Sequence, residues 1–258
     1  IKNNKTYLKK KIKNFLIQNN KIKDDKIKDN IHKKITIKFC CFVGRRNNLE
    51  ILHKYIEKAL EEKIIDEYHM FDFTRNINDS NFIYVEYNRL NNIYKNNIFI
   101  YNHSENKEKI LKNIKDNFKN DWSPFYLVIS QKKFYSNSVI IKCDDDILFI
   151  ELNGLKNAIK NRINDNYSFL IHSNCINNNI CSYFHRKSYP KIEKHLENYP
   201  KGGILGKIFE IPMLSYHLHS QFYTDLFNSL ENIDKYKIDD VYVKSRISFN
   251  FKLINNND

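Results

Sequence analysis

The chain reads as an α/β protein built on a mainly parallel sheet with helices on both faces. Three observations predict this. Apolar, β-branched runs such as Ile35–Val43 and Ser138–Cys143 recur, as in strands buried on both sides. Between them lie segments whose apolar residues are spaced three and four apart, the helical period. Strand and helix signals alternate through the first two thirds of the chain, the order that produces parallel sheets.

Residues 1–33 form a Lys-rich arm in which Leu8, Ile12, Phe15 and Leu16 share a weak helical face. Lys34–Val43 is the first strand and ends at Gly44-Arg45-Arg46. Asn47 or Asn48 is expected to cap the helix that follows, with Leu49, Leu52, Ile56 and Leu60 facing inward. Ile64–Phe73 is the second strand and its exit, 79–90 a helix, 97–101 the third strand and 105–119 a charged helix. The fourth strand, 138–143, runs into Asp144-Asp145-Asp146. One Asp of the triplet is a candidate cap for the next helix, which Asn153 opens and Arg162 closes. Residues 167–172 make the fifth strand. Beyond 180 the chain is aromatic and irregular, with one helix near 215–230. The expected organisation is a basic arm (1–33) and a single domain (34–258), its nucleotide-binding half at 34–150 and its acceptor half at 151–258.

A hydrophobic fraction of 41% and an aromatic fraction of 14% over 258 residues describe a globular chain with a sizeable core. The net charge of +13 suggests nucleic acid until it is located. Residues 1–38 hold 13 Lys against 3 Asp, so the body is nearly neutral. Basic arms bind nucleic acid or anionic membranes, but a solvated extension fits this one better; nucleic acid is the unexpected partner, and membrane association through residues 1–33 stays open. Lys, Asn, Ile, Tyr and Phe all have A/T-rich codons, so genome bias accounts for much of the Lys and Asn content. The five cysteines are odd in number and fall largely in predicted core strands, which argues for a reducing, cytoplasmic setting. A virus-associated or membrane-peripheral location is compatible with the codon bias and the arm. The opening Ile reads as the start of a fragment.

The Asp triplet carries the chemistry. Three adjacent carboxylates repel one another and need solvent, a cation or a capping role as an offset. Ligands of open α/β sheets bind outside the carboxyl ends of the strands. Hard cations such as Mg²⁺ and Mn²⁺ favour carboxylate oxygens and bridge phosphates. An exposed acidic turn explains the triplet equally well.

The run Lys142-Cys143-Asp144-Asp145-Asp146-Ile147 resembles the Lys-x-Asp-Asp-Asp-Ile segment of GT-A-fold glycosyltransferase-like proteins. Ile65–Asn76 with Asp79, Trp122-x-x-x-Tyr126 and Ser173-Asn174-Cys175-Ile176-Asn177-Asn178 resemble further blocks of that family in the same order. The resemblance spans about residues 36–250. It implies a GT-A-type, Rossmann-like fold and transfer of a sugar from a nucleotide sugar, UDP-sugar first, to a glycan or protein acceptor with Mn²⁺ or Mg²⁺.

Carried over, Asp144 contacts the ribose or sugar and is also a metal candidate. Asp146 is the metal ligand. Asp145 orients or ligates through water and is counted with Asp240 among the catalytic candidates. Gly44 permits close backbone approach to the nucleotide. Arg45 or Arg46 is placed to grip phosphate in bidentate fashion, and Arg75 with Asn76 is a second candidate for nucleotide or sugar hydroxyls.

The family's later acidic block and C-terminal metal-binding His find no counterpart. His217 and His219 are the substitute metal ligands, and Asp239 and Asp240 the weak candidates for a base. His172, Cys175, Cys181 and His185 have no standard zinc spacing. A non-catalytic nucleotide- or glycan-binding protein on the same fold is the alternative.

Overall fold

Seven consecutive buried residues make Thr36–Val43 (β1) the centre of the sheet. In the computed structural model, β1 pairs in parallel with β2 (Glu67–Asp72) on one side and β4 (Ser138–Asp144) on the other. β3 (Ile98–Asn102) extends the parallel sheet beyond β2. β6 (Phe251–Asn255) runs antiparallel between β4 and β5 (Leu170–His172), so the spatial order is β3-β2-β1-β4-β6-β5. Four adjacent parallel strands flanked by helices define a Rossmann-like α/β fold. The structure describes residues 35–74, 76–102, 123–165, 170–172, 174–176, 179–196, 211–238 and 251–255.

Side chains alternate between the two faces of a strand, and helices cover both. On one face Phe39 meets Tyr68, whose hydroxyl lies 3.1 Å from Nε2 of His53 in α1 (Arg46–Glu61). His53 Nδ1 in turn lies 3.2 Å from Glu86 of α2 (Ile77–Ile93), and Arg89 grips Glu57 and Glu86. The buried His53 and Tyr68 are tolerated on this face because each finds a partner. On the opposite face Phe42 and Phe71 pack edge-on against Phe125 of α3 (Ser123–Ile129) at 4.7 and 4.9 Å. Phe134 of α4 (Lys132–Tyr135) completes that cluster with Cys40 and Ile140.

The second face also takes charge. Lys38 Nζ sits 4.4 Å from the Phe134 ring centre and 3.4 Å from Glu67. His69 lies flat on Phe99, with Nε2 2.7 Å from Glu67 and Nδ1 3.0 Å from the Tyr101 hydroxyl. A neutral His69 with its proton on Nε2 satisfies both neighbours, and burial lowers its pKa accordingly.

The expected strands recur with edges shifted by a few residues, and several details differ. The first helix is entered through Arg45, whose backbone is extended and whose side chain makes no cap bond, rather than through Asn47 or Asn48. The 79–90 helix begins earlier, because Asn76 accepts the Asp79 amide at 2.8 Å. The helix α5 (Leu152–Asn164) is capped by Glu151, which accepts from the amides of Asn153 and Gly154, so no Asp of the triplet caps it. β6 was not expected from the sequence at all. The 105–119 helix, Trp122 and residues 167–169 lie outside the described residues.

The chain divides into two compact units. The sheet and its helices form one, from residue 35 to β5 together with β6. The other holds the described residues of 174–238. In it α6 (Asn179–His185), a short 3₁₀ turn and α7 (Glu193–Leu196) precede α8 (Pro212–Asn228) and a second 3₁₀ segment, Leu230–Tyr236. α8 buries Leu214, Leu218, Phe222 and Leu226, one every turn, and Phe222 packs on Tyr236 at 5.3 Å.

Candidate functional site

The chain leaves β1 for β2 on one side of the sheet and returns to β4 on the other. The carboxyl ends of β1 and β4 therefore bound a topological switch point, where open α/β sheets bind ligands. Phe42 and Asp144 are register partners there. Three residues past Phe42 comes Arg45; one past Asp144 comes Asp145.

The two meet across 100 residues of sequence. Arg45 Nε donates to Asp145 Oδ1 at 2.8 Å, and Nη2 donates to the same oxygen. Nη2 also stands 3.6 Å from Asp146 Oδ2. Exposure grades across the site: the Asp145 side chain is 8% exposed, Asp146 39% and Arg45 56%. The hydrogen bond to Asp145, reinforced by all three carboxylates, raises the Arg45 pKa, so its charge is fixed.

Asp144 ends β4, and period-two alternation puts Lys142 on its face. Lys142 Nζ donates to Asp144 Oδ1 and lies 4.6 Å from the Phe42 ring centre. Burial pushes the Asp144 pKa up, and Lys142 pulls it back.

Gly44 is confined. A Cβ there would stand 3.1 Å from the Phe73 carbonyl oxygen and 3.4 Å from Asp145 Oδ2. The Phe73 amide in turn donates to the Val43 carbonyl at 2.8 Å, which ties the exits of β1 and β2 together. At the β2 exit, Asp72 Oδ1 accepts the Thr74 amide at 2.9 Å and hydroxyl at 2.6 Å.

Gly44, Arg45, Asp144, Asp145 and Asp146 are thus brought together. Arg46 is directed elsewhere: its Nε lies 3.1 Å from Glu50, and its guanidinium stacks 5.0 Å from the Phe82 ring. His217 and His219 lie on α8 of the other unit, where His219 stacks on Tyr223. Arg75, Asp239 and Asp240 lie outside the described residues. Lys142 was not singled out from the sequence as a site residue. The signal was present, since a Lys two positions before an Asp on a strand shares its face.

The donor set suits a hard cation. Mg²⁺ keeps several waters and takes one or two carboxylates together with substrate phosphates, so it needs no cage of protein ligands. Among the described residues no three His, Cys, Asp or Glu side chains form such a cage. Asp146, with Asp144, would hold the cation. Comparison with protein-family models, with curated proteins and with solved structures finds no match.

Proposed function

We propose that this chain is a metal-assisted glycosyltransferase that moves a sugar from a nucleotide sugar, UDP-sugar first, to a glycan or protein acceptor. The observation that carries the reading is the meeting of Arg45 with the Asp triplet at the β1–β4 switch point. It joins a cationic fork suited to diphosphate and oxygen ligands suited to a divalent cation. When bound, the cation would neutralise the leaving diphosphate. Arg45 would grip the same diphosphate with its fork, which is electrostatic stabilisation of charge as it develops. Lys142 opposes the burial that raises the Asp144 pKa and holds the carboxylate by a hydrogen bond. Gly44 lets the backbone lie against the Asp145 carboxylate.

The test is nucleotide release from a panel of UDP-, GDP- and TDP-sugars with and without Mn²⁺, in the wild type and in Asp146→Asn. Mn²⁺-dependent release lost in the variant supports the reading. Full activity in Asp146→Asn removes it.

One observation favours a non-catalytic nucleotide binder on the same fold: Asp144 and Asp145 are each already held by a cationic side chain. That reading calls for nucleotide binding with no turnover of any sugar in the panel.

A further inference from the structure

Within the triplet, the carboxylate most in need of a counter-charge is Asp145. Its side chain is 8% exposed, and a buried carboxylate without a positive partner is strongly disfavoured. Arg45 supplies that charge. Lys142 is engaged separately with Asp144 and the Phe42 ring.

Arg45 is nevertheless the most exposed member of the site, and its Nη2 reaches both Asp145 Oδ1 and Asp146 Oδ2. Asp146 is one of the two carboxylates that would hold the cation, so Arg45 lies where it competes with that ion. Arg45 also follows closely on the carboxyl end of β1, the end of an open α/β sheet at which ligands bind. One group therefore faces two competing demands: the carboxylates when the site is empty, and the phosphates when it is filled.

Resting on the glycosyltransferase reading, we infer that Arg45 is an exchangeable internal counter-ion. It stands against Asp146, one of the two carboxylates that would hold the cation, until a nucleoside diphosphate draws it away. Cation and nucleotide then favour each other's binding, because each releases Arg45 to the other's advantage. Such coupling is reciprocal and typically amounts to 5–150-fold. The protein without nucleotide should hold its divalent ion weakly, which makes Arg45 a device that orders cation binding after nucleotide binding.

The experiment is Mn²⁺ titration by calorimetry, with and without UDP, on the wild type, Arg45→Gln, Arg45→Lys and Arg46→Gln. Without UDP, Arg45→Gln is expected to bind Mn²⁺ about 5-fold or more tightly than the wild type. Arg45→Lys keeps the charge but loses the fork, and falls between them. Arg46→Gln, whose guanidinium is held by Glu50, is expected to match the wild type, so that direct competition is separated from loss of nearby charge. UDP should raise the wild-type Mn²⁺ affinity more than that of Arg45→Gln.

Equal or weaker Mn²⁺ binding by Arg45→Gln and Arg45→Lys would overturn this inference and leave the reading of the site standing. The same holds if Arg46→Gln tightens binding as much. Absence of Mn²⁺ binding in every variant, even with UDP, would overturn both. Should Arg45→Gln fail to fold, Arg45→Lys alone decides, by binding more tightly than the wild type or not.

Discussion

Arg45 and Asp145, 100 residues apart in sequence, share a hydrogen bond of 2.8 Å because Phe42 and Asp144 are register partners on adjacent parallel strands. The pairing of β1 with β4 thus assembles the site. A register slip of one residue would turn Lys142 and Asp144 together to the other face and draw Asp145 and Asp146 out of reach of Arg45.

Asp146→Asn is expected to leave the melting temperature within about 2 °C of the wild type, because surface substitutions usually change stability by under ~0.5 kcal/mol. Metal-dependent nucleotide release should fall roughly 100-fold or more, the scale of losing one preorganised electrostatic contact. Thermal denaturation and nucleotide-release assays on the same preparation check both.

Gly44→Ala places a methyl 3.1 Å from the Phe73 carbonyl, a backbone atom that must move by tenths of an ångström. Overpacking of this kind costs about 1–3 kcal/mol. It should also displace Asp145 and reduce donor binding. Urea denaturation and UDP titration measure the two effects, and a variant as stable as the wild type would show that the β1 and β2 exits can separate freely.

The hydrogen bond from His53, with Arg89 adding to it, holds the Glu86 carboxyl down at about 2 against an ordinary value of 4.5. A depressed carboxylate contributes stability above its unfolded pKa and loses it as pH falls through the folded one. Stability should therefore decline between about pH 4.5 and pH 2, by on the order of 1–2 kcal/mol after allowance for solvent screening. Glu86→Gln should flatten that part of the curve.

In the 174–238 unit, burial pushes the His185 imidazole down to about 4 from 6.5. The unfolded chain binds a proton that the folded chain refuses, so stability is full above about pH 6.5 and is lost progressively as pH falls toward 4. His185→Phe, which keeps a ring and removes this titration, should make the slope shallower in urea denaturation curves collected from pH 4 to pH 8; the part that remains belongs to His69 and His219, whose pKa burial also lowers.

The central strands were legible because burial on both faces leaves near-continuous apolar runs; β1 and β4 read correctly to within a residue or two. β6 was not, since Phe251–Asn255 is a short run in an irregular region, and its antiparallel place between β4 and β5 is set by tertiary pairing alone. The Asp triplet stood out as unusual chemistry. Its partner in Arg45 was legible only as a cation at a strand exit, because the contact depends on which strands neighbour each other. The helix starts were misjudged for a local reason. Asn47 and Asn48 are good caps by type, yet they already lie within the first turn of α1, while Glu151, an uncommon cap, closes the amides of α5.

The measurement that tests the central claim most directly is nucleotide release from the sugar-nucleotide panel with and without Mn²⁺, compared between the wild type and Asp146→Asn. The account predicts Mn²⁺-dependent turnover of one donor in the wild type and its loss in the variant. Turnover that survives in Asp146→Asn, or a wild type that neither turns over nor binds any nucleotide with Mn²⁺ present, would contradict it.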